Sequence, residues 1–171
     1  EDANTVKTLE VNGIKVAFLD YTYGTNNSGA GDGRDYMIDI FEKDKVASMI
    51  EKEIKVDAER ATAAGVIYNR LKENMSLGID ATVLYAVGKT SGELTTAELE
   101  TDSPYNTREN KGLPLGPISN PGESSFKAAL YPEDNDYLYY VVEAVGKDNH
   151  VFCKTYDEFL AAKNAYNASA Q

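Results

Sequence analysis

The sequence predicts an α+β protein, with short helices packed around β-hairpins. One main domain is expected over 41–171, after a small hairpin and a Gly/Asn/Ser-rich loop over 1–40. Three observations carry this. Asn12-Gly13 sits between two alternating apolar runs, the strongest short hairpin signal. Apolar residues recur at helical spacing over 46–54 and 60–71. A β-branched and aromatic run, Tyr137 to Ala144, is followed after a Gly146–Asn149 turn by a second run, His150 to Lys154.

The first hairpin covers 5–23, with Val6, Leu9 and Val11 on one strand and Ile14, Val16 and Phe18 on the return. Residues 24–34 read as a loop or tether. Asp44 is a candidate cap for the helix that carries Val46 to Ile54, and Asp57 for the next. In that second helix Arg60, Ala64, Ile67, Tyr68 and Leu71 share a face, while Ala61, Ala63 and Gly65 allow close approach, so it is expected to pack on the first. Asn74 and Gly78 should end it. Asp80 is placed to cap a short helix, Thr82 to Val87, stopped by Gly88. Thr95 and Glu98 form a capping box, as do Thr155 and Glu158 ahead of a last helix to about Asn167. Ser124 or Ser125 opens another short helix, stopped before Pro132.

Composition narrows the function. The 171 residues are 42% hydrophobic and 26% charged, as in an ordinary globular protein. The net charge is −11 with no local basic patch, which excludes a nucleic-acid partner. One cysteine, Cys153, cannot form an internal disulfide. One His and one Cys make a metal site poor. Cys153 and His150 stand three apart on a strand and point to opposite faces, against a Cys-His nucleophile pair. No phosphate loop or serine elbow is present. No apolar run spans a bilayer. The chain starts at Glu1 rather than Met, which is expected of a cut or processed piece whose anchor was removed.

The helix over 46–54 organises the chemistry. At about 100° per residue, Val46, Met49, Ile50 and Ile54 form one stripe and Glu53 falls inside it. Ser48, Glu51, Lys52 and Lys55 point the other way, toward water. Burial disfavours an ionised carboxylate, raises its pKa and keeps it protonated. Such a group can donate a proton and later take one back. The same placement also suits a helix end, or a carboxylate paired with Arg60 or Arg70.

Residues 101–122 hold four of the five prolines. A loop this long is a lid, a binding loop, disorder or a fixed surface loop. Tyr105, Leu113 and Ile118 offer apolar anchors, and Asn106, Thr107, Ser119 and Asn120 offer amides and hydroxyls suited to sugars. Glycoside hydrolysis normally needs two carboxylates. Asp80, Asp102 and Glu123 are the candidates beside Glu53, and none lies on a comparably apolar face. A single acid suffices when the sugar supplies its own nucleophile, such as its primary hydroxyl.

Eight motifs occur in order: Ala47-Ser-Met-Ile-Glu-Lys-Glu53, Tyr68-Asn-Arg-Leu71, Asp80-Ala-Thr-Val83, Ser103-Pro-Tyr-Asn-Thr107, Gly112-Leu-Pro-Leu-Gly-Pro-Ile118, Asn120-Pro-Gly122, Tyr137-Leu-Tyr139 and His150-Val-Phe152. Over roughly 45–165 the chain resembles the endolytic murein transglycosylase, or YceG-like, family. The resemblance makes 41–171 a YceG-like catalytic domain and leaves 1–40 unassigned. It implies a lyase that cuts peptidoglycan strands internally and leaves anhydromuramic ends, without a cofactor or metal. It implies Glu53, not Glu51, as the acid/base, with Asp80, Tyr105, Asn106, Thr107, Pro117 and Asn120 toward the glycan. It also implies wall-synthesis partners and an extracytoplasmic place on the bacterial membrane, held by an N-terminal helix. The rival expectation is a glycan-binding or scaffold module without turnover. The chain departs from the family at Ile54, where Thr or Ser is common, and at Leu115, which replaces a common Pro.

Overall fold

A computed structural model describes residues 7–11, 14–18 and 35–170, with side chains from residue 42 onward. The chain divides into two units, Glu1–Asp35 and Tyr36–Gln171. In the first, β1 (Lys7–Val11) and β2 (Ile14–Phe18) form an antiparallel ladder in which Val11 faces Ile14 across the Asn12-Gly13 step. The expected loop over 24–34 lies outside the described residues.

Helix α1 (Asp35–Glu53) lies in the second unit from Tyr36 onward. No Gly or Pro interrupts this run, so the helix begins nine residues before Asp44, which is interior rather than a cap. Val46, Ala47, Ser48, Met49 and Ile50 are all fully buried, as is Ile54. Five consecutive buried residues cover every direction of a helical turn, so this stretch of α1 runs through the core rather than along its edge. This corrects the expectation that Ser48 and Glu51 face water. Ser48 Oγ accepts the Ile118 N–H at 3.1 Å, and the Glu51 carboxylate accepts the Gly122 N–H at 3.0 Å. The segment 101–122 therefore lies along the far side of α1.

A single 3-10 turn, Asp57–Glu59, leads into α2 (Arg60–Lys72). Asp57 does not cap α2. The turn displaces the helix start beyond it, and its carboxylate instead lies 3.0 Å from Arg60 Nε. Ala63, Ala64 and Ile67 are buried and share one cluster with Val46, Met49 and Ile50 of α1. At the backbone level, however, α2 lies closest to α5 (Glu123–Leu130), and the Tyr68 hydroxyl donates to the Ala129 carbonyl at 2.9 Å. Close approach is used at Gly65, where a Cβ would stand 2.5 Å from the Glu133 carbonyl oxygen. Asn74 takes a positive φ of 52° after α2 ends, the expected stop.

Next come α3 (Asp80–Ala86), stopped at Gly88 (φ 73°), and α4 (Thr96–Leu99). Asp80 is the first helical residue, not the cap. Ile79 holds the cap position because its carbonyl is already bound by the Thr82 hydroxyl at 2.6 Å. The N-cap of α5 is Gly122, so Ser124 and Ser125 lie inside its first turn, where their hydroxyls meet Arg60. The hairpin β3 (Tyr139–Val142) and β4 (His150–Cys153) pairs Tyr140 with Phe152 and Val142 with His150. Alternation puts Tyr140 and His150 on one face and Tyr139 and Cys153 on the other. The second face is covered by α6 (Tyr156–Ala168), whose Phe159 ring stacks 5.5 Å from Tyr139. Both expected capping boxes form, at Thr95 and Thr155. Among the described residues no helix is long and apolar enough to cross a membrane.

Candidate active site

Glu53 is the last residue of α1, and its side chain opens on a cleft of about 480 Å³. The end of α1, the start of α3, strand β3 and helix α6 form the walls, through Glu53, Asp80, Arg70, Tyr140, Lys163 and Tyr166. The Ala81 N–H donates to Glu53 Oε1 at 3.3 Å, and the Tyr140 hydroxyl donates to Oε2 at 3.4 Å. Both bonds are long, so they offset little of the lost hydration. Burial raises the Glu53 pKa above the ordinary glutamate range, and the neighbouring Asp80 charge adds to the rise. Burial likewise pushes the Tyr140 hydroxyl well up, so Tyr140 stays a hydrogen-bond donor.

Neither candidate arginine is paired with Glu53. Arg60 Nη1 donates to Glu51 Oε2 at 2.9 Å and to Ser124 Oγ at 3.0 Å. Arg70 donates to the carbonyls of Leu138, Ser76 and Leu77, which fixes its guanidinium as a strut between α2 and the segments on either side of the cleft. Glu51 receives the treatment Glu53 lacks. Hydrogen bonds from Ser125 and the Gly122 N–H, with the Arg60 charge, hold its carboxyl below the usual range. Two carboxylates two residues apart on one helix end are thus driven in opposite directions. One is kept ionised and structural, the other pushed toward the protonated form in a cleft.

Beyond Tyr140 stands His150, whose ring meets the Tyr140 ring edge-on at 5.6 Å. Its Nδ1 lies 2.9 Å from Glu59 Oε2. Burial alone would raise the Glu59 carboxyl, but hydrogen bonds from the His150 ring, Asn149 and the His150 N–H together hold it low. Glu59, His150 and Tyr140 so form a buttress behind Glu53. Cys153, on the opposite face, is buried and free.

Of the six expected glycan contacts, all among the described residues, Asp80 alone lines this cleft. It is exposed and bound to Arg108 at 2.7 Å. Asn106 and Thr107 are fully buried. The Asn106 amide donates to the Leu99 and Thr101 carbonyls. The Thr107 hydroxyl accepts the Ile79 N–H at 3.1 Å and shares a bond with Thr82, while its carbonyl accepts the Gly78 N–H. These two hold the turn that aims α3 at Glu53. Tyr105 is half-buried, with its ring 4.8 Å from that of Tyr85. Pro117 and Asn120 are exposed along the loop that covers the far side of α1. Sequence reasoning missed Tyr140, Arg108 and the α6 residues. Strand alternation could have found Tyr140, since it points inward beside His150. No local signal marks Lys163 or Tyr166.

The YceG-like family model matches residues 33–165. The chain is 48% identical over 124 residues to the endolytic murein transglycosylase of Bacillus subtilis, covering 72% of this chain and 34% of that protein. It is 37% identical over 103 residues to the protein of the same name from Streptococcus pneumoniae, covering 57% of this chain and 19% of that protein. A 2.6 Å crystal structure of a YceG-like protein from Listeria monocytogenes matches with a TM-score of 0.65 at 48% identity, over 68% of this chain and 38% of that one. The chain therefore spans about a third of the Bacillus relative or less of the pneumococcal one. With the family model covering most of its length and the ordered motifs falling within that span, the chain belongs to the YceG-like family.

Proposed function

We propose that this chain is the catalytic domain of a lytic transglycosylase that cleaves peptidoglycan strands internally, with Glu53 as its single acid/base. The observation that carries the reading is the unpaired, half-buried Glu53 carboxyl at the floor of the cleft, its pKa raised by burial. The curated relatives' names support the substrate class.

In the reaction, protonated Glu53 donates its proton to the glycosidic oxygen as the C1–O bond of the muramic residue breaks. Positive charge builds on C1 and the ring oxygen. The Glu53 carboxylate then takes the proton of the muramic primary hydroxyl as that oxygen bonds to C1. The products are a saccharide with a new free hydroxyl and a 1,6-anhydromuramic end, with no water consumed. Tyr140 and the Ala81 N–H hold the carboxylate in place between the two transfers. Arg70 and Thr107 position the walls. The whole protein works at the extracytoplasmic face of the bacterial membrane, anchored by a membrane helix and beside wall-synthesis proteins.

The test is incubation of purified peptidoglycan with this chain and with Glu53→Gln, followed by mass analysis of strand ends. Anhydro ends from the parent alone are expected. Ordinary reducing ends would make the chain a hydrolase, and intact strands bound equally by both forms would make it a binding module.

A further inference from the structure

A second chamber of about 460 Å³ opens off the cleft and shares Asp80, Arg108 and Lys163 with it. Its floor is apolar, formed by Leu84, Leu94 and Leu99, and Glu93 stands at its edge. Lys163 and Glu93 are both exposed, and among the described residues neither side chain has a charged partner. Arg108 by contrast is bound to Asp80 at 2.7 Å, and Lys89 to Glu98 at 2.6 Å. The chamber thus presents one uncommitted cation and one uncommitted anion above an apolar floor. In a chain of net charge −11, a lysine left free at the junction of two cavities is open to an anionic group.

Neutral sugar does not call for that arrangement, whereas a short zwitterionic peptide does. Peptidoglycan supplies one, because the muramic ring carries its stem peptide through a lactyl ether. That peptide begins with alanine, continues with a D-glutamyl residue bearing a carboxylate, and then a diamino acid bearing an amine. The ring that bears the peptide is also the ring whose C1 reacts. A peptide site must therefore open within one or two residues' length of the acid, about 3.3–3.6 Å per residue. Asp80 provides that continuity, since its neighbour Ala81 donates to Glu53 and its own side chain borders both cavities.

We infer that this chamber is a stem-peptide subsite, in which the leucine floor takes the alanine methyl, Lys163 the glutamyl carboxylate and Glu93 the diamino-acid amine. The inference rests on the peptidoglycan reading of the Glu53 cleft and adds to it the part of the substrate that selects the strand.

The probe is a free N-acetylated tetrapeptide of stem composition, L-alanyl-γ-D-glutamyl-diamino acid-D-alanine, titrated into the isotopically labelled 171-residue chain with backbone amides followed by NMR. Shifts at Leu84, Gly92, Leu94 and Leu99 are expected, and Lys163→Glu should weaken binding about tenfold. An N-acetylglucosamine tetramer should leave those amides unmoved. The inference is overturned if the peptide shifts other amides or none, if Lys163→Glu binds it as the parent does, or if the neutral sugar occupies the same amides. Strands stripped of peptide by an amidase separate the two readings. A chain that cuts stripped strands but ignores the tetrapeptide has no such subsite and is still a transglycosylase. A chain that binds the tetrapeptide through Lys163 but cuts nothing has the subsite without the chemistry.

Discussion

At the residue scale the chain sets two glutamates to opposite uses. Glu53 titrates higher in the folded protein than in the unfolded chain, because burial disfavours its charge. Between the two values the folded state binds more protons, so stability falls as pH rises through that window. Glu53→Gln removes the ionisation and should raise Tm at pH 7–8, with the gain vanishing below about pH 4, where the parent is protonated in both states. The same variant should lower turnover at least 10²-fold, the scale of losing a general acid. A Tm unchanged across pH would show that the carboxyl is solvated. Glu51 obeys the opposite sign. Its lowered pKa contributes stability above the unfolded value that is lost as pH falls through the folded one. Glu51→Gln should therefore destabilise at pH 7, by about 2 kcal/mol, leaving Arg60 with only the exposed Asp57 carboxylate. Chemical denaturation at pH 7 and pH 3 checks it, the loss shrinking at the lower pH. Tyr140→Phe removes a donor to the Glu53 carboxylate, so the alkaline limb of the rate profile should move to higher pH. The helical wheel could place Glu53 because its stripe is local. It placed Ser48 and Glu51 wrongly because a wheel shows one covered face, and α1 is covered on both sides by residues some 70 positions away.

At the scale of elements, the structure turns on how loops are tied rather than on helix strength. The long proline segment is stapled to α1 by Ser48 and Glu51, and to the entry of α3 by Thr107. Thr107→Val keeps the volume but leaves the Ile79 N–H and the Thr82 hydroxyl without their shared partner in a buried site. A loss of about 2–3 kcal/mol is expected from denaturant unfolding, with kcat falling as α3 loosens beneath Glu53. Gly65→Ala should cost about 1–3 kcal/mol, since its methyl would meet the Glu133 backbone and not a movable side chain tip alone. The legible elements were those whose signals are self-contained. The two capping boxes, the Gly88 stop and the β3–β4 hairpin each depend on residues within a few positions. The caps expected at Asp44, Asp57 and Asp80 failed because each helix starts at a different residue from the one its capping type suggests. An uninterrupted run extended α1 backward, the 3-10 turn preceded α2, and Ile79, its carbonyl bound by the Thr82 hydroxyl, took the cap position of α3.

At the scale of the whole molecule, the cleft and the core are separate constructions. The central cluster draws on α1, α2, α5 and the segments that flank α3, and takes no residue from α6. Helix α6 has no buried residue at all. Yet Phe159, Lys163 and Tyr166 make the wall opposite Glu53, a role no periodicity reveals because it depends on where β3 and β4 carry the chain. Ending the chain after Lys154 tests this division. The truncated protein loses the Tyr139 contacts with Tyr156 and Phe159 but keeps the core cluster. It should still unfold in one cooperative transition, with a Tm about 5–10 °C lower. With one wall gone, the proposed activity should suffer, kcat/KM on peptidoglycan falling at least tenfold. The truncation should also let water reach the Glu53 carboxyl, lowering its pKa and moving the alkaline limb of the rate profile to lower pH, opposite to Tyr140→Phe. Full activity with an unmoved profile would mean that α6 is ornament to the site; loss of the transition itself would mean that the core needs it.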